Sequence, residues 1–342
     1  MIYEWCLMDL SEFYHHLPES LIAQHPAHPK DSSRLLVLND DRTMQHKRFY
    51  DLISYLKKDD VLVLNSTKVL HAKLEGKKQS GSAAEIILTR CMNRKKLVYE
   101  ARIRTRNPHL GMKILLDKAY ATIISRKSID EFIIRLSDKK ALNNASLPNP
   151  PYIKHGVLDE EYQTVFARVS RDKGSLAAPT AGLHFTRKYL EDIKKKGVKI
   201  VFITLHVGFG TFLPIMDDIA SHKTEEEYFE ISNSAAKNIN GRKGRLIVVG
   251  TTTLKALESS SKNRIIFPCR KSSGIFIYPG HEFSSRPDAL ITNFHLPKSS
   301  LLLLTCAFCG KERIMHSYKE AVEKKYRFYS LGDAMMMYRK NI

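Results

Sequence analysis

Apolar positions near the start of the chain fall into two short unbroken runs with a helical pattern between them. Leu35–Leu38 and Val61–Leu64 are continuous apolar stretches of strand length, and Phe49, Leu52, Ile53 and Leu56 recur between them at helical spacing. Unbroken apolar strands are covered on both faces, so this segment predicts β, α, β with buried strands. The texture changes after Val69. From there to about Ala141 come short strand-like runs (Ala84–Leu88, Leu97–Ile103, Lys113–Leu116, Ala121–Ile124, Phe132–Leu136), separated by turn-rich stretches such as Gly76–Gly81 and Arg106-Asn107-Pro108. That spacing predicts an antiparallel barrel or sandwich inserted into the first domain.

Leu147-Pro148-Asn149-Pro150-Pro151 fits neither a helix nor a central strand and predicts the return linker. Beyond it, Thr186 caps an expected helix that ends at Lys196 and Gly197, followed by a strand over Val198–Val207. Leu246–Val249, Ile275–Tyr278 and Ala289–Thr292 read as further strands. Helices are expected from Thr253, over Ser300–Phe308 and over Ser317–Lys325. The expected organisation is a first catalytic part over 1–70, a β-rich insert over 71–150 and a second catalytic part over 151–342. The fold class is α/β, with a mainly parallel sheet, open or closed.

With 342 residues, 43% of them hydrophobic and 27% charged, the composition excludes a disordered or collagen-like chain. The net charge of +19 favours a polyanionic partner, nucleic acid or an anionic membrane surface. Residues 71–140 hold 17 Lys plus Arg against 7 Asp plus Glu, a net of +10, so much of that charge sits in the insert. Membrane spanning needs about 20 apolar residues, and the best run, Leu301–Phe308, is far shorter. Met1–Leu7 carries Glu4 and no basic residue ahead of an apolar stretch, so no secretory signal is expected there. Five cysteines, an odd and small number, fit a reducing cytoplasm. Cys306-x-x-Cys309 lies in an apolar helical run without a second Cys or His pair at zinc spacing, and reads as packing.

Candidate chemistry gathers where predicted strands run into polar loops, the usual ligand position in α/β sheets. The loops are Thr204–Thr211, Gly250–Thr253, Thr292–Pro297 and Gly174–Thr186, which precedes a helix N-terminus. Gly208-x-Gly210 lacks the third Gly and the acidic residue of a dinucleotide fingerprint, and no phosphate-binding Gly-rich Lys loop is present. His184, His206 and His295 all fall in these loops. Of Glu225-Glu226-Glu227, an otherwise solvated run, only Glu227 becomes a site candidate, through its context.

Taken in order, these strings resemble the S-adenosylmethionine:tRNA ribosyltransferase-isomerase family of queuosine biosynthesis. The resemblance begins at Leu17-Pro18, Ser33–Val37 and Asp60–Thr67. It continues through Tyr162–Ala167, Ala177–Thr186 and Thr204–Phe212, then Gly250–Thr252, Phe276–Gly280 and Thr292–Ser299. It closes with Tyr326–Met335. It implies a barrel-like α/β catalytic domain interrupted by a β-rich, barrel-like insert. It also implies transfer and isomerisation of the ribosyl unit of S-adenosylmethionine onto 7-aminomethyl-7-deazaguanine at the tRNA wobble position. The product would be epoxyqueuosine-tRNA, with adenine and methionine released. The partners would be tRNA and S-adenosylmethionine, the latter a substrate. No cofactor, metal or membrane is implied, and a cytoplasmic monomer is expected.

A sulfonium acidifies its neighbouring C–H, so the reaction asks for a base, and a loop His has a suitable pKa. The resemblance implies His184 or His206 for proton transfer and Glu227 or Glu258 for the sulfonium or the methionine ammonium. It implies Thr180 and Thr252 for the methionine carboxylate, and Asn293 and His295 for ribose or adenine. Asn65, Thr67, Thr186, Gly208, Gly210, Thr211, His222 and Asp333 complete the expected substrate set. For tRNA phosphate the expected residues are Arg34 and Arg327, with Arg94, Lys95, Lys96, Arg102 and Arg104 in the insert; Arg106 would share a strand face with the last two if the strand persists.

Several positions depart from the family pattern. Glu225 stands where a second His usually follows His222 by three residues. Lys30, Lys68, Lys73 and Lys255 replace the usual Arg, and Lys271 and Ser273 replace Gly and Thr. Lys keeps the charge and loses the bidentate fork. The family's usual start aligns near Met8, so Met1–Leu7 would be a dispensable extension. Two other classes remain open: a non-enzymatic basic RNA-binding protein, and an S-adenosylmethionine-dependent RNA methyltransferase, for which the Gly-rich turn after the first strand is missing.

Overall fold

The computed structural model describes residues 8–150, 152–154, 156, 158–168, 174–208, 215 and 218–340. Contacts divide the chain into two compact units, Met1–Lys68 with Pro150–Ile342, and Val69–Asn149. In chain order the strands of the first segment are β1 (Arg34–Leu38), β2 (Met44–Arg48) and β3 (Val61–Asn65). The second unit holds β4 (Lys73–Lys78), β5 (Ala83–Asn93), β6 (Val98–Arg104), β7 (Lys113–Leu116), β8 (Ala119–Arg126) and β9 (Glu131–Leu136). Then follow β10 (Lys199–Leu205), β11 (Glu227–Ile231), β12 (Leu246–Val249), β13 (Ser261–Lys262), β14 (Ile265–Ile266), β15 (Cys269–Ser273), β16 (Ala289–Asn293) and β17 (Ala334–Tyr338). The α-helices are α1 (Leu52–Tyr55), α2 (Arg187–Lys195), α3 (Asn233–Asn240), α4 (Thr251–Ser259), α5 (Ser300–Cys309) and α6 (Lys311–Glu323).

The larger unit is built on a nine-stranded sheet in the order β15-β11-β10-β3-β12-β16-β17-β1-β2. Its four central strands, β10, β3, β12 and β16, run parallel to one another. The sheet as a whole is mixed and open, where the expectation was mainly parallel and barrel-like. Parallel pairing also joins β1 to β17, but β2, β11, β15 and β17 each add an antiparallel pair. The reason is local: β1 returns as β2 through the tight Asn39–Thr43 turn, which permits only antiparallel pairing.

Alternate residues of the central strands feed two separate cores, one on each face. Val61, Val63, Leu246 and Val248 join one with α3, α4, α5 and α6. Leu62, Leu64, Ile247 and Val249 join the other with Phe49, Leu52 and α2. Burial on both faces is why these strands read as unbroken apolar runs. Ile275–Tyr278 forms no strand; its side chains reach the first core from an irregular segment. The helix expected over Phe49–Leu56 is a 3₁₀ turn, Phe49–Asp51, followed by the single turn of α1.

The second unit is a closed barrel of six antiparallel strands, β4-β5-β6-β9-β8-β7. Period-two alternation sends Tyr99, Ala101, Ile103, Phe132, Ile134 and Leu136 inward. Arg102 and Arg104 lie between the inward positions of β6, which ends at Arg104, short of Arg106.

Candidate active site

The carboxyl ends of three of the parallel strands, β10, β12 and β16, open onto one cavity, the usual position of a ligand site in an α/β sheet. Val207 follows β10, Gly250 follows β12, and Thr292 and Asn293 end β16. The start of β17 pairs with the end of β16, Asn293 opposite Ala334, which brings Tyr329 and Ser330 to the same edge. Pro179 and Thr180 close another side.

Two helices begin at this cavity. Thr251 and Thr252 lie in the first turn of α4, whose N-cap is Gly250 at φ 90°, with no side-chain cap bond. Ser299 caps α5 by accepting from Leu302 N at 3.2 Å. Uncapped first-turn N–H groups favour an anion. No described lining residue carries a charge: the wall is hydroxyl-bearing (Thr180, Thr252, Thr292, Ser299) and aromatic. Tyr152 and Tyr329 pack with centroids 4.1 Å apart, and Tyr152 and Ser330 share a hydroxyl–hydroxyl bond.

The three loop histidines have different surroundings. His295 lines the cavity, with Nε2 3.1 Å from Thr292 Oγ1, and burial pushes its pKa down to about 3. His184 sits behind Asn293, with Nδ1 2.8 Å from Ser33 Oγ and Nε2 3.2 Å from Asn293 Nδ2. Its ring stacks on Phe49, and burial, then the charges of Arg327 and Lys30, push its pKa down to about 3. His206 follows β10 directly, its Nδ1 2.8 Å from Thr67 Oγ1 and its ring stacked on Tyr228. Asn65 holds this corner: its Oδ1 accepts from Leu205 N and Thr67 N, and its Nδ2 donates to Leu205 O.

Other expected ligand residues are committed to the fold. Glu227 accepts from Gly208 N at 3.0 Å and from the Lys255 ammonium at 3.1 Å. Glu258 accepts from His281 Nε2, Ser284 N, Ser285 N and Ser285 Oγ. Burial pushes its pKa up, but these donors outweigh it and hold the carboxyl below its ordinary value. Asp333 accepts from the backbone N–H groups of Arg34 and Arg327. Thr186 caps α2 by accepting from Tyr189 N. His222 packs edge-on against Phe276, away from the cavity lining. Gly210 and Thr211 lie outside the described residues.

Arg34 donates to Lys324 O and lies 3.6 Å over the Tyr326 ring, while Arg327 donates to His25 O and pairs with Asp333. In the barrel, Arg94, Lys95 and Lys96 are exposed at the β5–β6 turn. Arg102 pairs with Asp130 and Glu131, and Arg104 with Glu85. Cys306 and Cys309 are buried in α5, and burial pushes the Cys309 thiol up to about 11. Sequence reasoning passed over Ser33, Tyr152, Tyr329 and Ser330, and noted Lys255 only as a departure from the family pattern. Of these, Ser33, Tyr329 and Ser330 lie inside the strings that carried the resemblance, so their signal was on the page.

The family model described as queuosine biosynthesis protein matches residues 10–337. A relative from Desulforamulus reducens named S-adenosylmethionine:tRNA ribosyltransferase-isomerase is 44% identical over 96% of this chain and all of its own length. One of the same name from Thermosipho africanus is 43% identical over 97% of this chain and all of its own. The crystal structure of S-adenosylmethionine tRNA ribosyltransferase from Thermotoga maritima matches with a TM-score of 0.54 and 31% identity, covering 95% of this chain and 99% of that one. Similarity that spans both the sheet-end loops and the inserted barrel leaves one assignment: the chain belongs to the queuosine biosynthesis protein family, a family of tRNA-modifying transferases.

Proposed function

We propose that this chain binds S-adenosylmethionine in the cavity and transfers its ribosyl unit, with isomerisation, to 7-aminomethyl-7-deazaguanine at the wobble position of tRNA. The product is epoxyqueuosine-tRNA, and adenine and methionine leave. The observation that supports this reading is near full-length similarity to proteins of that name. In this reading the methionine carboxylate meets the first turn of α4 with Thr180 and Thr252, and the sulfonium lies near the Tyr152 and Tyr329 rings; the uncapped α4 N-terminus and the hydroxyl-bearing, aromatic lining support it. Asn293 and His295 hold the ribose and adenine. Glu227 and Glu258 act instead as positioning groups, since their oxygens already hold protein donors.

His206 takes the proton from the ribose carbon next to the sulfonium, leaving an ylide, with Thr67 orienting the ring. Departure of adenine and attack by the tRNA amine follow, and methionine is then lost. S-adenosylmethionine is consumed, so the reaction requires no resident metal or cofactor, and the enzyme acts as a cytoplasmic monomer. The basic barrel face around Arg94, Lys95 and Lys96 attracts tRNA phosphate. Mass spectrometry of tRNA bearing the aminomethyl base, after incubation with the protein and S-adenosylmethionine, tests the reading. Gain of a cyclopentene-type epoxide with free adenine and methionine is expected, whereas S-adenosylhomocysteine release would refute it.

A further inference from the structure

Asn293 is held by two groups that both accept hydrogen bonds. Its Nδ2 lies 3.2 Å from the carbonyl oxygen of Tyr329 and 3.2 Å from His184 Nε2. A backbone carbonyl only accepts, so the amide must turn its NH₂ end this way. The second N–H then points at His184 Nε2, which has to be the unprotonated nitrogen of a neutral ring. The ring proton is left on Nδ1, where it is donated to Ser33 Oγ at 2.8 Å. Burial and stacking on Phe49 at 4.7 Å keep the imidazole uncharged. The Tyr329 carbonyl therefore sets the polarity of the whole chain of bonds, which ends on the buried Ser33 hydroxyl.

The consequence falls on the other end of the amide. Asn293 lines the cavity, is almost fully buried, and its Oδ1 has no hydrogen-bond partner. Buried polar atoms without partners are rare and unfavourable. We propose that His184 is a positioning residue that locks Asn293 with its carbonyl oxygen as an acceptor for the substrate. A bound molecule must then offer an O–H or N–H at this point, and one that offers a carboxylate or another lone pair is rejected. This rests on the function proposed above, under which the donor is a ribose hydroxyl or the adenine amino group of S-adenosylmethionine. It also removes His184 from proton transfer, because its one basic nitrogen is spent on Asn293.

Two measurements test the assignment. In the ligand-free protein, ¹⁵N spectra of the His184 ring should show the neutral Nδ1–H tautomer from pH 8 to pH 5. An Nε2–H tautomer, or titration near the ordinary value of about 6.5, overturns the lock whatever the ligand is. Calorimetric binding of S-adenosylmethionine without tRNA should weaken about 3- to 10-fold in Asn293→Ala and in His184→Ala, with the double variant little worse than either. His184→Gln, which again offers Asn293 an acceptor, should recover most of the loss and covers the case in which the alanine variant fails to fold.

In turnover the His184 deficit should fall on KM, leaving the pH profile in place. A fall in kcat of about 10²-fold or more with unchanged binding would make His184 the base and overturn the proposal. The 2′-deoxy, 3′-deoxy and inosyl analogues identify the donor: the one that lacks it binds wild type weakly and loses nothing further in Asn293→Ala. If the wild-type protein bound no S-adenosylmethionine, the proposed function would fall, while the ring spectra would still judge the lock.

Discussion

The ammonium of Lys255 lies 3.1 Å from Glu227 Oε2, and both side chains are almost completely buried. The other Glu227 oxygen accepts from Gly208 N, so this pair fixes the turn that leaves β10 beside the cavity-lining Val207. Breaking a buried ion pair by removing one partner costs about 3–5 kcal/mol. Lys255→Met should therefore lower stability in urea titration by roughly that amount, and Lys255→Arg, which keeps the charge, by much less. Equal losses in the two variants would show that the space around Lys255, and not its charge, is what matters.

Gly332 permits a close turn between Arg327 and Asp333. A Cβ there would lie 2.4 Å from Arg327 O and 2.7 Å from two backbone carbons, so the turn must open to accept it. Gly332 N donates to Tyr329 O, and Tyr329 and Ser330 line the cavity. Gly332→Ala is expected to cost about 1–3 kcal/mol of stability. It should also weaken S-adenosylmethionine binding, measured by calorimetry on the folded variant; unchanged binding would show that Tyr329 and Ser330 do not contact ligand.

Strands covered on both faces announce themselves in the sequence. Leu246–Val249 and Ala289–Ile291 are unbroken apolar runs because alternate residues enter different cores. β2 and β15 gave no such signal: Met44–Arg48 and Cys269–Ser273 are edge strands whose polar side chains are mostly exposed. Their absence from the reading is what made the sheet look mainly parallel. The loop histidines were legible as residues following strands, but their roles were not. His184 is defined by Ser33, 151 positions away, and by Asn293, 109 positions away. No local pattern records partners that only folding brings together.

Acid should destabilise this protein earlier than carboxylate titration alone would. Burial holds His184 and His295 at about 3, and His15 at about 4, against an ordinary value near 6.5. Below pH ~6.5 the unfolded chain binds protons that the folded one refuses, so stability falls as pH drops, by about 1.4 kcal/mol per pH unit for each such histidine. Glu258 and Asp60, whose carboxyls are held low, contribute only at lower pH. Urea midpoints at pH 7, 6 and 5 measure the slope. His15→Phe should reduce it, because both His15 ring nitrogens lack partners and the ring packs against Tyr318 and Phe328. An unchanged slope would mean that His15 is protonated in the folded state.

The barrel's two basic clusters differ in what already holds them. Arg102 and Arg104 share carboxylate neighbours, Asp130 with Glu131 and Glu85, whereas Arg94, Lys95 and Lys96 stand exposed on the β5–β6 turn. A cation already paired gains less from a phosphate, because binding must compete with its carboxylate. Each phosphate contact steepens the dependence of log K on log salt by roughly 0.7 to 0.9. The triple change of Arg94, Lys95 and Lys96 to Ala is expected to weaken tRNA binding at low salt and flatten that slope by one to two contacts' worth. The double change of Arg102 and Arg104 should do distinctly less, and neither should alter S-adenosylmethionine affinity. Filter-binding or fluorescence titrations of tRNA across a salt series decide it: equal flattening would mean that the ion pairs yield to phosphate, and no flattening in either would place tRNA binding elsewhere than on these two clusters.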